Sequence, residues 1–228
     1  MSGRMFLGSQ EISNVSGLVY LGQGGGGSSA PTFTETKLVD NSSLASSFTF
    51  SQDYHNFDFV KIVFKDTAND VFYTTVITPA LIDRLYTLTP VCCLNRPGTN
   101  IYVCYSQSSL TWTRTAQRTC DVYEIYGIDC DNYTVQEDIL YEAQSLSNSS
   151  VPVTSQNDLT EYDYIFTMNN TTGYDELIFN CFNFRPNGLG DEYSFMQVYN
   201  GYGAFIRLVD NYTLPSAAYA FASAVKFV

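Results

Sequence analysis

Short runs of aromatic and β-branched residues recur along the chain, and Asn, Asp, Gly, Ser and Pro separate them. The clearest runs cover residues 47–50, 59–64, 71–76, 100–105, 122–128 and 162–168. Tyr and Phe, of which the chain has 18 and 16, suit a pleated sheet better than a helix. Only residues 79–86, which begin with Pro79, suggest a short helix. The sequence therefore predicts an all-β fold.

An internal repeat divides this β-rich sequence into two parts. Asp53 aligns with Asp158 at an offset of 105 residues, and the Phe-Asp-Phe and Tyr-Asp-Tyr triplets that begin at Phe57 and Tyr162 align as well. Weaker matches join 40–43 to 147–150 and 100–106 to 202–209, and each copy is predicted to end on a strand, 122–128 and 222–228. We interpret the repeat as two tandem β-sandwich domains of the jelly-roll type, residues 31–131 and 132–228. Chance similarity between Tyr-rich strands is the alternative.

Four consecutive glycines lie in residues 23–30, a stretch whose composition is typical of a flexible linker. The preceding segment, residues 1–22, is too short to bury a core of its own, because isolated hairpins are marginally stable in water. We therefore expect it to attach the chain to another protein. Its candidate attachment residues are Phe6, Leu7, Gly8, Ile12, Val15, Val19, Tyr20 and Leu21. The alternatives are an N-terminal strand that folds back on the first domain and, for the glycines, an engineered linker.

The charge of the chain restricts its partners. Eleven Lys and Arg against 23 Asp and Glu give a net charge of −12, of which residues 131–228 carry −9. This balance excludes nucleic acid as an electrostatic partner, because phosphates require a basic surface. No apolar run approaches the roughly 18–20 residues that span a bilayer, and the start of the chain lacks a signal-peptide pattern. We expect a soluble acidic protein without membrane insertion or export.

Candidate catalytic groups are few. A Ser-His-Asp triad or a Cys-His pair would require His55, the only histidine, which lies in a polar stretch that predicts a solvated turn. A glycosidase needs only two carboxylates about 5–10 Å apart, and 23 acidic residues leave that option open. Phosphate-binding, dinucleotide-binding and zinc-protease motifs do not occur in the sequence. We expect no catalytic residue and no enzymatic activity.

The cysteines predict neither a metal site nor a disulfide framework. They are Cys92, Cys93, Cys104, Cys120, Cys130 and Cys181. Paired Cys-x-x-Cys spacing is absent, and the triplet around Cys130 (Asp-Cys-Asp) lacks the other ligands of a calcium loop. We expect reduced thiols, with Cys104 and Cys181 acting as small buried apolar residues, and no metal or cofactor.

Tyrosines are the candidate recognition residues, because a tyrosine ring can stack on a sugar and its hydroxyl can form hydrogen bonds. We select four in the second repeat for contact with a receptor or glycan. They are Tyr193, Tyr199, Tyr202 and Tyr212. The alternative is that they pack in the core or form cross-strand pairs, as tyrosines of β-sheets often do.

Three short segments resemble proteins of bacteriophage particles. Residues 5–15 (MFLGSQEISNV) and 19–22 (VYLG) resemble the N-terminal segments of many tailed-bacteriophage virion proteins. Residues 123–128 (YEIYGI) resemble the last strand of β-sandwich domains in phage tail-fibre, baseplate and head-fibre proteins. The second repeat ends instead on residues 223–228 (SAVKFV) and lacks that pattern.

The resemblance implies a non-enzymatic structural protein, often a homotrimer, on the exterior of a phage particle. Its N-terminus would bind capsid or tail proteins, and its distal β domains would serve host adsorption or decoration through a host-surface glycan or protein. Such a protein is made in the host cytoplasm. Two alternatives from other classes are a carbohydrate-active β-sandwich enzyme that degrades host surface polysaccharide and a cell-surface adhesin.

Overall fold

A computed structural model of the chain describes residues 5–7, 10–12, 31–88, 92–95, 102–145, 147, 149–170, 177–185, 194–197 and 205–228. Its strands are β1 (Met5–Leu7), β2 (Gln10–Ile12), β3 (Phe33–Asp40), β4 (Ser47–Thr49), β5 (Phe59–Asp66), β6 (Val71–Ile77), β7 (Cys92–Asn95), β8 (Tyr102–Ser108), β9 (Thr111–Arg118), β10 (Cys120–Cys130), β11 (Val135–Glu142), β12 (Val151–Thr154), β13 (Tyr164–Asn170), β14 (Leu177–Arg185), β15 (Ser194–Gln197), β16 (Phe205–Arg207), β17 (Thr213–Ala217) and β18 (Tyr219–Phe227). One helix, α1, covers Pro79–Leu88, and 3-10 turns cover Tyr54–Asn56 and Leu159–Glu161.

These strands pair in antiparallel sheets. The two larger sheets have the orders β3-β10-β5-β6 and β11-β18-β13-β14-β15-β16, and a further sheet has the order β4-β9-β8-β7. Strands β12 and β17 form a two-stranded sheet, and so do β1 and β2. The prediction of an all-β fold is confirmed at this level. In the described part of the chain, no helix has the length and apolar character needed to cross a membrane.

Local sequence explains the main elements. In β5, Val60, Ile62 and Phe64 are buried, whereas the intervening Lys61 is partly exposed, so the strand buries one side more fully than the other. The predicted helix at Pro79 is present as α1. Its start is capped by Thr78, whose Oγ1 accepts a hydrogen bond from the backbone N–H of Leu81 at 3.3 Å.

The two halves of the described chain share one strand order. The order β3-β10-β5-β6 of the first half recurs as β11-β18-β13-β14 in the second, where β15 and β16 extend the sheet. Strand β4 pairs with β9 as β12 pairs with β17. Each half also has a 3-10 turn immediately before its second long strand, and an aspartate caps that turn in both, Asp53 and Asp158. The alignment of these two residues in the sequence therefore matches their places in the fold.

Register and bulges agree as well. Ile128 faces Phe59 in the first sheet, and Val225 faces Tyr164 at the equivalent position of the second. Leu38 is a bulged residue in the pairing of β3 with β10, and the equivalent Leu140 is a bulged residue in the pairing of β11 with β18. A bulge also recurs in the last strand of each half, at Tyr123 and at Ala220. Bulges at matching places indicate one backbone design used twice.

Each copy ends on a strand, β10 and β18, as predicted, and Val122 and Tyr219 occupy equivalent register positions in them. The alignment of 40–43 with 147–150 is wrong. Asn41 donates its backbone N–H to β10, and the residue that makes the equivalent bond to β18 is Ala143. Segments of unequal length separate the equivalent strands, so no single offset aligns the two halves.

Residues of both halves contribute to one hydrophobic core. The Phe59 ring stacks on Phe166, with ring centroids 5.9 Å apart, and meets Tyr164 edge-on. Phe33 in β3 and Phe227 in β18 join the same cluster. The two larger sheets therefore pack against each other through aromatic side chains. The proposed domain boundary at 131–132 lies in the turn between β10 and β11.

Away from this shared core, the two halves fill equivalent positions differently. The first half has an aromatic cluster in which Phe48 lies opposite Trp112 in the pairing of β4 and β9. In the second half, Val153 and Leu214 occupy the same register positions. The second half thus packs smaller aliphatic side chains beneath its two-stranded sheet. The two copies therefore differ in their packing on this side of the molecule.

Candidate functional site

A pocket of about 430 Å³ lies in the second half, between β11 and the segment that links β12 to the 3-10 turn. Its lining residues are Glu137, Asp138, Ile139, Leu140, Thr154, Ser155, Gln156 and Asn157. The Asp138 carboxyl, two residues with side-chain amides and two with hydroxyls therefore surround it, together with two aliphatic residues and with Glu137, whose carboxyl bonds elsewhere. This volume falls in the range of about 300–1,000 Å³ that is usual for small-molecule sites.

Hydrogen bonds join the equivalent segments of the first half. There the backbone N–H of Ser51 donates to the carbonyl of Leu38 at 2.9 Å, and the Ser51 hydroxyl bonds to the carbonyl of Lys37. The equivalent residues of the second half are Gln156 and Leu140. Among the described residues, no backbone hydrogen bond joins that pair. The pocket therefore lies where the second copy lacks a backbone hydrogen bond that the first copy has.

Asp138 is the most strongly held polar side chain of the pocket. Its Oδ2 accepts hydrogen bonds from the Tyr162 hydroxyl and, at 3.2 Å, from Nδ2 of Asn157. Nε2 of Gln136 donates to Oδ1 at 3.2 Å. The Tyr162 bond above all, helped by the two amides and the charge of Lys226, outweighs partial burial and lowers the pKa of Asp138. Asp138 is therefore a fixed, ionised acceptor at neutral pH.

Glu137 lies in a different environment on the same strand. Its Oε1 accepts a hydrogen bond from the hydroxyl of Thr78 at 2.8 Å, which links the second half to the start of α1. Burial raises the pKa of Glu137, and the Thr78 bond offsets part of that effect. Neighbouring residues of a strand point to opposite faces, and the separate partners of Glu137 and Asp138 agree with that geometry. The two carboxyls therefore have pKa shifts of opposite sign.

A second polar cluster surrounds His55 in the first half. Nδ1 of His55 lies 2.6 Å from Oδ1 of Asp53, and Nε2 lies 2.9 Å from both carboxylate oxygens of Asp83. The Tyr54 ring stacks on the imidazole, and its hydroxyl donates to Asp83 at 2.8 Å. Partial burial lowers the pKa of His55, but the bonds and charges of the two aspartates outweigh it, and the net shift is upward. The predicted turn is confirmed, whereas Asp83, which α1 supplies, was not foreseen.

The predicted recognition and attachment residues fall in different parts of the chain. Tyr212 lies in the turn before β17 with 46% of its surface exposed. Its backbone carbonyl accepts a hydrogen bond at 2.7 Å from the N–H of Ser155, a pocket residue. Phe6 and Leu7 lie in β1 and Ile12 lies in β2, which pair with each other. The remaining predicted residues lie outside the described part of the chain: Gly8, Val15, Val19, Tyr20, Leu21, Tyr193, Tyr199 and Tyr202.

Cysteines and acidic residues are side chains that could bind a metal ion. Cys120 is a buried free thiol and Cys130 a partly exposed one. Cys104 and Cys181 lie in β8 and β14, and their predicted burial falls outside the side chains that the structure describes. Within the described residues, no group of three or more His, Cys, Asp or Glu side chains could hold a metal ion.

No protein-family model matches the chain, and no curated protein or solved structure does either.

Proposed function

We propose that the protein is a non-enzymatic structural component of a tailed-bacteriophage particle, an exposed tail fibre, baseplate or head-fibre appendage. In this proposal the N-terminal segment attaches the chain to capsid or tail proteins. The duplicated β body then faces outward and serves host adsorption or decoration through a host-surface glycan or protein. The exterior of the particle is the proposed location of the protein.

One observation carries the proposal. Strands β1 and β2 pair with each other in a sheet of their own, and among the described residues no hydrogen-bonded pairing joins that sheet to the body. The four glycines lie between this hairpin and β3. A two-stranded sheet alone is marginally stable in water and gains stability by packing on a partner. A separate hairpin before a glycine linker suits attachment to a neighbouring virion protein.

The architecture of the body supports the outward role. The matching strand orders of the two halves agree with an interpretation of residues 31–131 and 132–228 as tandem jelly-roll-like units, which is part of this proposal. Most of the net charge lies in residues 131–228, at −9. Acidic surfaces stay soluble and repel one another, which suits the outer end of an appendage. Three-fold association would multiply weak contacts with the host surface.

Attachment can be tested with particles purified from the host strain. The variant carries Phe6→Ser, Leu7→Ser, Tyr20→Ser and Leu21→Ser, which remove the apolar side chains of the segment. The matched control carries Ser9→Ala, Gln10→Ala, Ser13→Ala and Asn14→Ala, which change polar positions nearby. We expect the first variant to fold but to be missing from particles, as judged by immunogold microscopy and mass spectrometry. Normal incorporation of that variant would contradict the proposal.

A carbohydrate-active enzyme is the second candidate. The observation that favours it is the pocket beside Asp138, since Glu137, the next residue along the strand, has a pKa shifted in the opposite direction. Opposite shifts of two carboxyls are a pattern that acid–base catalysis uses, although here the Glu137 carboxyl bonds to Thr78 on the other face of β11. Release of reducing ends from host surface polysaccharide, lost in both Glu137→Gln and Asp138→Asn, would establish this alternative. Under the structural proposal, the wild-type protein releases none.

A further inference from the structure

We propose that the pocket of the second half binds one neutral saccharide unit. The two copies differ at this place. A backbone hydrogen bond joins Ser51 to Leu38 in the first half, whereas none joins the equivalent Gln156 and Leu140, which line the pocket of the second. Two copies with the same strand order and bulges thus differ where the pocket lies.

The polar lining suits sugar hydroxyls. Asp138 is held in place by three donors, so a ligand that binds to its remaining lone pairs meets an acceptor that is already ordered. The side chains of Thr154, Gln156 and Asn157 add a hydroxyl and two amides around the same space. A carboxylate with neighbouring amides and hydroxyls can both accept from and donate to vicinal hydroxyl groups.

The apolar contribution comes from Ile139, and Tyr212 lies next to a lining residue. Ile139 lines the pocket and keeps 46% of its surface exposed, although the equivalent residue of the first half is the charged Lys37. Tyr212 is exposed to the same extent, and its backbone is bonded to Ser155 in the pocket wall. A sugar ring has one face of C–H groups, which can pack on such aliphatic and aromatic surfaces.

Charge selects among saccharides. The ionised Asp138 lines the pocket, and residues 131–228 carry a net charge of −9. A uronic or sialic acid would bring a second carboxylate into this field, where like charges repel. A metal ion is the other polar occupant to consider, but among the described residues no suitable cluster of three ligands is present. The pocket therefore favours a neutral hexose, deoxyhexose or N-acetylhexosamine.

The binding of a sugar does not depend on the virion role, whereas its use in adsorption rests on the proposed function. A protein that binds a sugar but keeps its place on particles after the N-terminal substitutions would retain this inference and lose the attachment proposal. A protein whose N-terminal variant is missing from particles, as expected, but which binds no sugar would retain the attachment proposal and lose this inference. The two tests therefore fail separately.

The experiment uses the full chain and individual sugars. Saturation-transfer NMR and calorimetry are run with glucose, galactose, rhamnose and N-acetylglucosamine, and with glucuronic and sialic acid as anionic probes. Two variants address the pocket: Asp138→Ala removes the central acceptor, and Gln156→Trp fills the space from an exposed position. Their controls are Thr36→Ala and Gln52→Trp, which lie at or beside the equivalent positions of the first half. Thermal unfolding checks that each variant is folded.

We expect at least one neutral sugar to bind and both pocket variants to weaken it about tenfold or more, because a hydrogen bond to a charged group is lost or the space is filled. The two controls should bind as the wild type does. Should Asp138→Ala fail to fold, Gln156→Trp still decides the matter. The absence of binding to every neutral probe, binding of the anionic sugars alone, or unchanged affinity in a folded pocket variant would each overturn the proposal.

Discussion

Asp58 and Asp163 make the same contact in the two halves of the molecule. Oδ2 of Asp58 accepts a hydrogen bond from the backbone N–H of Cys130 at 2.8 Å, and Oδ2 of Asp163 accepts one from that of Phe227 at 2.9 Å. Each aspartate thereby joins the start of one long strand to the end of the last strand of its half. Burial raises the pKa of both carboxyls, and the N–H donor offsets part of that rise in each.

We predict that Asp58→Ala and Asp163→Ala each lower the free energy of unfolding by about 1–3 kcal/mol, because a partly buried N–H group loses its acceptor. Urea denaturation followed by tryptophan fluorescence measures the effect. The control is Asp131→Ala, which removes an exposed carboxylate nearby and should change stability by less than about 0.5 kcal/mol. A loss of stability in only one of the two aspartate variants, or in neither, would contradict the equivalence of the two contacts.

The fold could be predicted from sequence as far as its class and its duplication. Period-two burial in runs such as 59–64 indicates strands, and the Asp53 and Asp158 turns keep the signature of their caps. The packing of Phe59 on Phe166 could not be predicted, because a strand pattern shows which side is buried but not which sheet covers it. The offset of 105 residues does not extend to the last strands, where Val122 and Tyr219 are equivalent, because segments of unequal length precede them.

The candidate site was less accessible to sequence reasoning. The pocket lies where a backbone hydrogen bond is present at Ser51 and absent at the equivalent Gln156, and such bonds cannot be recognised from residue types. One partner of His55 is local in sequence and the other is not, since Asp53 is two residues away and Asp83 comes from α1. Among the residues at or beside the pocket, sequence chemistry predicts only Tyr212 as a recognition residue, and its ring is exposed. A comparison of the two copies, once aligned correctly, is the signal that would have identified the pocket.

His55 gives the protein a pH-dependent contribution to stability. The net upward shift of its pKa means that the folded state binds a proton more tightly than the unfolded state. This contribution is therefore complete below the ordinary histidine value of 6.5 and is lost as the pH rises through the raised folded value. The groups are partly exposed, so we expect less than about 1 kcal/mol.

The measurement is the melting temperature of the wild type and His55→Ala between pH 5 and pH 9. We predict that the difference between the two proteins is largest at the acidic end and shrinks as the pH rises. Asp83→Asn should reduce the pH dependence without abolishing it, because Asp53 remains bonded to the ring. Parallel curves for the wild type and His55→Ala would show that the cluster does not titrate as the structure implies.

Gly127 has no room for a side chain. A Cβ atom at this position would overlap the ring of Phe57. We predict that Gly127→Ala lowers the free energy of unfolding by about 1–3 kcal/mol through overpacking. The double variant Gly127→Ala with Phe57→Leu should lose less free energy of unfolding than the sum of the two single losses, because the smaller side chain relieves the overlap. Additive losses in urea denaturation would contradict this contact.

The two described thiols should differ in reactivity. Burial above all, with the charge of Asp66, raises the pKa of Cys120 to about 12, so little thiolate forms at neutral pH. Burial also raises the pKa of Cys130, but that residue is partly exposed. Mass spectrometry after timed treatment with iodoacetamide at pH 8 should find Cys130 modified first and Cys120 protected. In urea the two should react at similar rates, and early modification of Cys120 in the folded protein would be inconsistent with its burial.

The last prediction concerns assembly, and Phe72 is the residue to test. Its ring meets that of Tyr123 at 4.9 Å on the surface of the first sheet, yet 49% of Phe72 stays exposed. Exposed aromatic pairs are common at protein interfaces. Under the proposed homotrimer, light scattering of the full chain should give three times the 25.5 kDa of one chain, and Phe72→Ser should lower that mass. Ile139→Ser, an equally exposed apolar position in the second half, is the control and should leave it unchanged. A wild-type mass of 25.5 kDa that does not vary with concentration would exclude the trimer.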